Sequence, residues 1–185
     1  MSQAMRIAWG LAAVVFVAGL GALLYARGGG KAHLVEGSFA SRGDGTWREG
    51  SGAADDPVRT LLLRYRSGRD ASLTLSVRNA GKRPVKLVGA SVLGRGLMFA
   101  PRSARFKGTP EQPDAIKPGF EVSLPAGKEA AVVLTGRFTG CADYEAGSET
   151  ADRTLTVEYE AGGSTRTVDV PLRDEIRVIA PDPCA

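Results

Sequence analysis

Residues 72–79 (SLTLSVRN) alternate without a break: Leu73, Leu75 and Val77 fall on one side, Thr74, Ser76 and Arg78 on the other. A period of two is the mark of a strand with one face in a core and one in water. The same rhythm recurs at 154–160 (TLTVEYE), at 166–172 through Val168, Val170 and Leu172, and at 120–124 (FEVSL). In 130–138 (AAVVLTGRF), Val132, Leu134, Gly136 and Phe138 share a side. Further strand candidates are 60–65 (TLLLRY), 85–93 (VKLVGASVL), interrupted or bulged at Gly89, and 175–180 (EIRVIA), with a short apolar piece at 97–99. Turn residues separate them: Asn79-Ala80-Gly81-Lys82, Pro125-Ala126-Gly127-Lys128, and the two-glycine hairpin signal Gly162-Gly163. Eight or nine short strands with no amphipathic helix between them predict an all-β antiparallel sandwich.

One stretch breaks the pattern. Residues 7–26 (IAWGLAAVVFVAGLGALLYA) hold no charge, and as a helix at ~1.5 Å per residue they would cover about 30 Å, the thickness of a bilayer's hydrocarbon. The run is longer than a signal-peptide core, and bulky Leu24 makes a poor cleavage site. The expected layout is a cytoplasmic stub at 1–6, a single-pass transmembrane helix at 7–26, a flexible spacer at 27–56 rich in Gly, Ser and mixed charge, and an extracytoplasmic domain at 57–185. Within the spacer, 33–35 (HLV) and Phe39 could form a short docking strand. Arg6 on one side and Arg27 and Lys31 on the other leave the positive-inside rule without a clear direction. The cysteines decide the orientation. Cys141 and Cys184 are the only two, neither has metal-ligand neighbours, and in an exported chain such a pair is a disulfide. That bridge would contribute roughly 4 kcal/mol by the chain-entropy estimate and would place the N-terminus in the cytoplasm and the domain outside it.

The segment 72–92 (SLTLSVRNAGKRPVKLVGASV) resembles the strand, Asn-x-Gly turn and strand unit of bacterial membrane-anchored immunoglobulin-like envelope proteins. In those families the counterpart of Asn79-Ala80-Gly81 joins two core strands, so the resemblance implies an immunoglobulin-like sandwich of about seven to nine strands. The cysteines depart from the antibody arrangement: one lies in the terminal tail and no strand-centred Trp stands between them.

Charge adds a second layer. The net charge of +4 conceals eight Lys/Arg against one Asp in 61–100, and five Arg against ten Asp/Glu in 131–185. Laid side by side in a sandwich, these segments neutralise one another. Turned outward, Arg64, Arg66, Lys82, Arg83 and Lys86 would form a basic contact face for an anionic envelope polymer or glycan. The Pro- and Lys-containing stretch 101–119 reads as a long loop that Phe106 and Ile116 could tack to the core, and Arg102, Arg105, Phe106 and Lys107 in it are a candidate contact loop. No Arg/Lys run is interleaved with aromatics, so nucleic acid is not an expected partner.

Catalysis has no visible carrier. His33 is the one histidine and falls in the expected spacer; there is no nucleophile elbow, HExxH or phosphate-binding glycine loop. No metal or cofactor is expected from one His, two Cys and three Met. Asp174 and Glu175 are adjacent, so on a strand they point to opposite faces. Asp143, Glu145 and Glu149 lack the ordered spacing of a calcium loop, and Arg42-Gly43-Asp44 is too short a motif to carry adhesion. By elimination the chain is a non-catalytic module that docks an envelope or membrane protein while its helix contacts the lipid bilayer. Gly10, Ala13, Val17 and Gly21 on one face of that helix leave open a place as accessory subunit of a membrane complex.

Overall fold

The computed structural model describes residues 32–38, 42–49, 59–92, 98–114, 116–161 and 163–181. They form strands β1 (Leu34–Glu36), β2 (Arg42–Gly43), β3 (Gly45–Glu49), β4 (Arg59–Arg64), β5 (Asp70–Asn79), β6 (Val85–Val92), β7 (Phe99–Lys107), β8 (Val122–Leu124), β9 (Glu129–Phe138), β10 (Glu149–Ala161) and β11 (Ser164–Ile179), with a 3-10 turn at Cys141–Asp143. One sheet runs β1-β5-β9-β7, with β2 also on the edge of β5; the other runs β3-β4-β11-β10-β6-β8. The fold is an all-β two-sheet sandwich.

The alternation read from the sequence fixes which side faces in. Leu73, Leu75 and Val77 of β5 are fully buried, as are Val132 and Leu134 of β9 and Phe106 of β7. They share one core with Leu61 and Leu63 of β4, Leu87 of β6, Leu155 and Val157 of β10, and Val170, Ile176 and Val178 of β11. The β10–β11 hairpin joins the paired Ala161 and Ser164, with Gly163 at φ +76 where a side chain would be strained. On β6 the register slips between Leu87 and Gly89 opposite β10, the irregularity expected near Gly89.

Several expectations need correction. Sandwich strands occur at 42–43 and 45–49, against the expected spacer at 27–56 and domain start at 57, and at 34–36, where the sequence allows a short docking strand. Leu34 is buried, and β1 and β2 supply the backbone partners that the edge of β5 would otherwise lack. At Asp44 the chain leaves one sheet for the other. Asp44 holds Ser72 in both directions, its N–H donating to the Ser72 carbonyl at 3.2 Å and its carboxylate accepting the Ser72 N–H at 3.0 Å. Gly45 follows because a Cβ there would run into the Leu62 carbonyl. Gly45, within the glycine-rich stretch, thus allows a sheet crossing.

The loop expected at 101–119 is also mistaken in its first half, since β7 continues to Lys107. This strand lies at a sheet edge, where Pro and exposed Arg are tolerated because one side of the backbone is unpaired. Pro101 sits beside a bulge in its pairing with β9. The segments 166–172 and 175–180 are one strand, β11, whose register with β10 shifts between Asp152 and Thr154. Finally, β4 and β11 pair in parallel, whereas every other described pairing is antiparallel.

Candidate interaction surface

The two outer faces differ in charge. Across the five-stranded sheet, direct pairing sets Arg42, Thr74, Val133 and Arg105 in one row, and Ser76, Ala131 and Lys107 in the next. At ~4.8 Å per strand, Arg42 and Arg105 stand about 14 Å apart on either side of small residues. Arg78 lies on the same face, opposite Glu129. At its other end Asp70 takes Arg137 at 3.1 Å and Arg102 at 3.6 Å. The opposite face, on the six-stranded sheet, is neutralised from within. Arg177 is held by Glu149 and Glu175, and Lys86 by Glu121 at 2.8 Å and Glu160 at 3.1 Å. The hydrogen bonds to Glu121 and Glu160 raise the Lys86 pKa above its ordinary 10.5 and keep it charged.

The edge of the basic face is β7. The Phe106 N–H and C=O point away from β9 and bond Gly119 at 2.8 and 3.0 Å. By the two-residue period Ala104 turns its N–H and C=O to the same side, where no described strand pairs with it. Next to this open ladder stands Phe120, 59% exposed, with the Arg105 guanidinium 5.5 Å from its ring centroid. Arg105 and Phe120 make a flat cationic and aromatic platform beside the unpaired backbone.

A third feature ties the N-terminal strands to the C-terminal one. Arg59 reaches buried Asp174 through Nε at 3.2 Å and Nη2 at 3.1 Å, and its guanidinium lies 5.0 Å from the Trp47 ring. Arg173 donates its N–H and Nε to Glu36 at 2.9 and 2.8 Å and its Nη2 to the Gly37 carbonyl at 2.8 Å. Asp174 faces in to Arg59 while Glu175 faces out to Arg177, the opposition expected of neighbours on a strand.

The proposed basic set is not one face. Arg64 pairs with Ile179, which faces Glu149 at one end of β10; Lys86 pairs with Glu160 at the other. Eleven residues of strand separate them, roughly 35 Å at ~3.3 Å each. Arg66 lies in the turn beyond Arg64, and Lys82 and Arg83 in the turn before β6. The contact loop fares differently: Phe106 is a core residue at 0% exposure, while Arg102, Arg105 and Lys107 are exposed on the strand. The sequence reading missed Phe120 as a surface residue and Arg42 and Arg78 as members of the basic face; the strand alternation around Thr74 already held the signal for Arg78.

Cys141 is buried at the head of the 3-10 turn, and no cysteine is free among the described residues. Cys184, Phe39 and the apolar run 7–26 lie outside the described residues. Among the described residues no helix is long and apolar enough to cross a membrane, and no three His, Cys, Asp or Glu gather as metal ligands. Glu149, near Asp143 and Glu145 in the chain, is committed to Arg177. His33 is exposed, and its carbonyl accepts the Ala80 N–H at 2.8 Å.

No family model matches the chain and no curated protein aligns with it. Among solved structures it is similar to the VesB protease of Vibrio cholerae, at 11% identity and TM-score 0.32 over 74% of this chain and 32% of that one. It is also similar to the major pilin subunit BcpA of Bacillus cereus, at 12% identity and TM-score 0.36 over 77% of this chain and 40% of that one. A third likeness is PapD-like domain 7 of human CEP192, at 15% identity and TM-score 0.29 over 82% and 95%. The chain thus spans about a third of the protease and two fifths of the pilin. At these scores the likenesses carry no argument about activity, partners or descent.

Proposed function

We propose that this chain is a non-catalytic docking module of the cell envelope. Residues 7–26 cross the membrane once with the N-terminus in the cytoplasm, and a Cys141–Cys184 disulfide closes the immunoglobulin-like sandwich outside it. The partner is an envelope or membrane protein that offers an extended acidic segment. The observation that supports this reading is the open edge of β7, with the outward N–H and C=O of Ala104 flanked by Arg102, Arg105 and exposed Phe120. A segment added there extends the ladder that Gly119 begins at Phe106, and backbone bonds supply affinity while the arginines select carboxylates. Site-specific photo-crosslinkers in intact cells test it. Placed at Ser103 or Arg105 they capture one discrete protein; placed at Thr167 or Glu158 on the other sheet they do not. Equal capture from both sheets, or capture only from the second, contradicts the reading.

A second reading, binding of an anionic polymer or glycan, draws on Arg78, Arg105 and Lys107, for which no carboxylate lies in salt-bridge reach among the described residues. Binding through such exposed charges falls steeply between low and moderate salt, whereas strand addition tolerates it. The third reading, accessory subunit of a membrane complex through the helix itself, makes capture depend on residues 7–26 and not on β7.

A further inference from the structure

The chain enters the sandwich at one of its ends, and that end is basic. Asn79, fully buried, organises it: Nδ2 donates to the Arg83 carbonyl at 2.7 Å and the Leu124 carbonyl at 3.1 Å, and Oδ1 accepts the Gly81 N–H at 3.0 Å. Its backbone N–H donates to the Lys128 carbonyl at 3.0 Å and its C=O accepts the Gly127 N–H at 2.7 Å. The side chain thus gathers the turn at 80–84 and the end of β8, the backbone of the same residue gathers the turn at 125–128, and neighbouring Ala80 holds the entering residue His33. Exposed Lys82, Arg83 and Lys128 project from these turns, with Arg78 just behind. Of the carboxylates toward this end, Glu129 accepts the Ser38 N–H and hydroxyl at 2.9 Å and Glu121 and Glu160 hold Lys86, while exposed Glu111 and Asp114 lie with Lys117 in the loop beyond β7. The far end carries the loop with Asp143 and Glu145 together with exposed Arg64, Arg66 and Arg69.

Five residues, 27–31, separate the apolar run from Ala32, whose N–H already donates to the Tyr159 hydroxyl at 3.2 Å. Fully extended, five residues reach no more than about 18 Å. The corrected start of the domain therefore leaves a short leash, and the end that holds Lys82, Arg83 and Lys128 is the end it draws to the bilayer. We propose that this basic end rests on anionic lipid headgroups of the membrane that anchors the chain. The claim builds on the reading of 7–26 as a span and is independent of the β7 edge. Attraction of basic residues to an anionic leaflet acts within a Debye length of the surface, about 10 Å at 0.1 M salt, so a short leash is what makes three surface cations effective.

The test is hydrogen exchange on the full chain in nanodiscs of phosphatidylcholine with and without phosphatidylglycerol. Exchange in 80–84 and 126–128 slows several-fold in the anionic discs, the slowing is lost at high salt and in the K82E/R83E/K128E variant, and the loop at 139–148 is unaffected. An R64E/R66E variant, altered at the far end, keeps the protection, and a thermal melt confirms that both variants fold. Equal exchange in the two lipids, or slowing at 139–148 instead, overturns the lipid contact and leaves docking at β7 standing. A chain that fails to enter the discs overturns the anchor and this proposal together.

Discussion

Asn79 shows how one side chain can decide the shape of an end. Asn79 is at zero exposure and its amide makes three bonds, of which the one to the Leu124 carbonyl is buried. Asn79→Ala is expected to lower stability by about 3 kcal/mol in urea unfolding, from lost bonds and unsatisfied carbonyls. Asn79→Asp costs a similar amount, because a carboxylate oxygen would face the Arg83 and Leu124 carbonyls. Asp152 is the opposite case. Its Oδ1 accepts the Thr154 N–H at 2.9 Å, while Oδ2 is buried without a partner. Desolvation raises its pKa above the ordinary 3.8, against the pull of the Thr154 and Arg153 N–H groups. A carboxyl with a raised folded pKa binds its proton more tightly in the native state, so this group's contribution to stability falls as pH rises from 3.8 through the raised value. Asp152→Asn removes the charge, and melts across pH 3 to 8 should show a flatter profile and a higher Tm near neutrality. The Asn-x-Gly motif was legible in the sequence as a turn. The hub it forms was not, because the Leu124 carbonyl and the 125–128 turn are 45 residues away and no local pattern announces them.

At the scale of elements, strand identity was legible and strand neighbours were not. Alternation in β5, β9 and β10 named the buried side chains correctly because burial on one face leaves a period of two. Periodicity is silent on who pairs with whom, so the parallel partnership of β4 and β11 and the sheet crossing at Asp44 had no signature. β7 was hidden for a related reason: an edge strand has to carry charge and proline, which is also how a loop is composed. Two changes probe these elements. Gly45→Val sets a side chain against the Leu62 carbonyl and should detach β3 from β4, exposing Trp47, which is 40% exposed in the intact fold, with a red-shifted fluorescence maximum. Arg59→Ala leaves Asp174 buried without its guanidinium and should cost about 2 kcal/mol, a figure held down because Arg59 is half exposed.

For the whole molecule, the sandwich is polarised in charge between its two outer faces. The charge segregation seen along the sequence is real but is resolved locally, with Lys86 and Arg177 neutralising the six-stranded face while the five-stranded face stays basic. What remained invisible was that Arg64 and Lys86 lie at opposite ends of β10's length, since linear nearness of Arg64, Arg66 and Lys82 says nothing about register. Docking through the edge of β7 is the claim on which the functional reading depends. Its most direct measurement is the yield of a photo-crosslink from position 105 in intact cells, with and without Ala104→Pro. Proline deletes the outward N–H at an edge position where the strand itself does not need it. The account predicts that the crosslinked band disappears in the proline variant while its melting temperature stays within a few degrees of the parent. A band of undiminished intensity in a folded Ala104→Pro protein would contradict it.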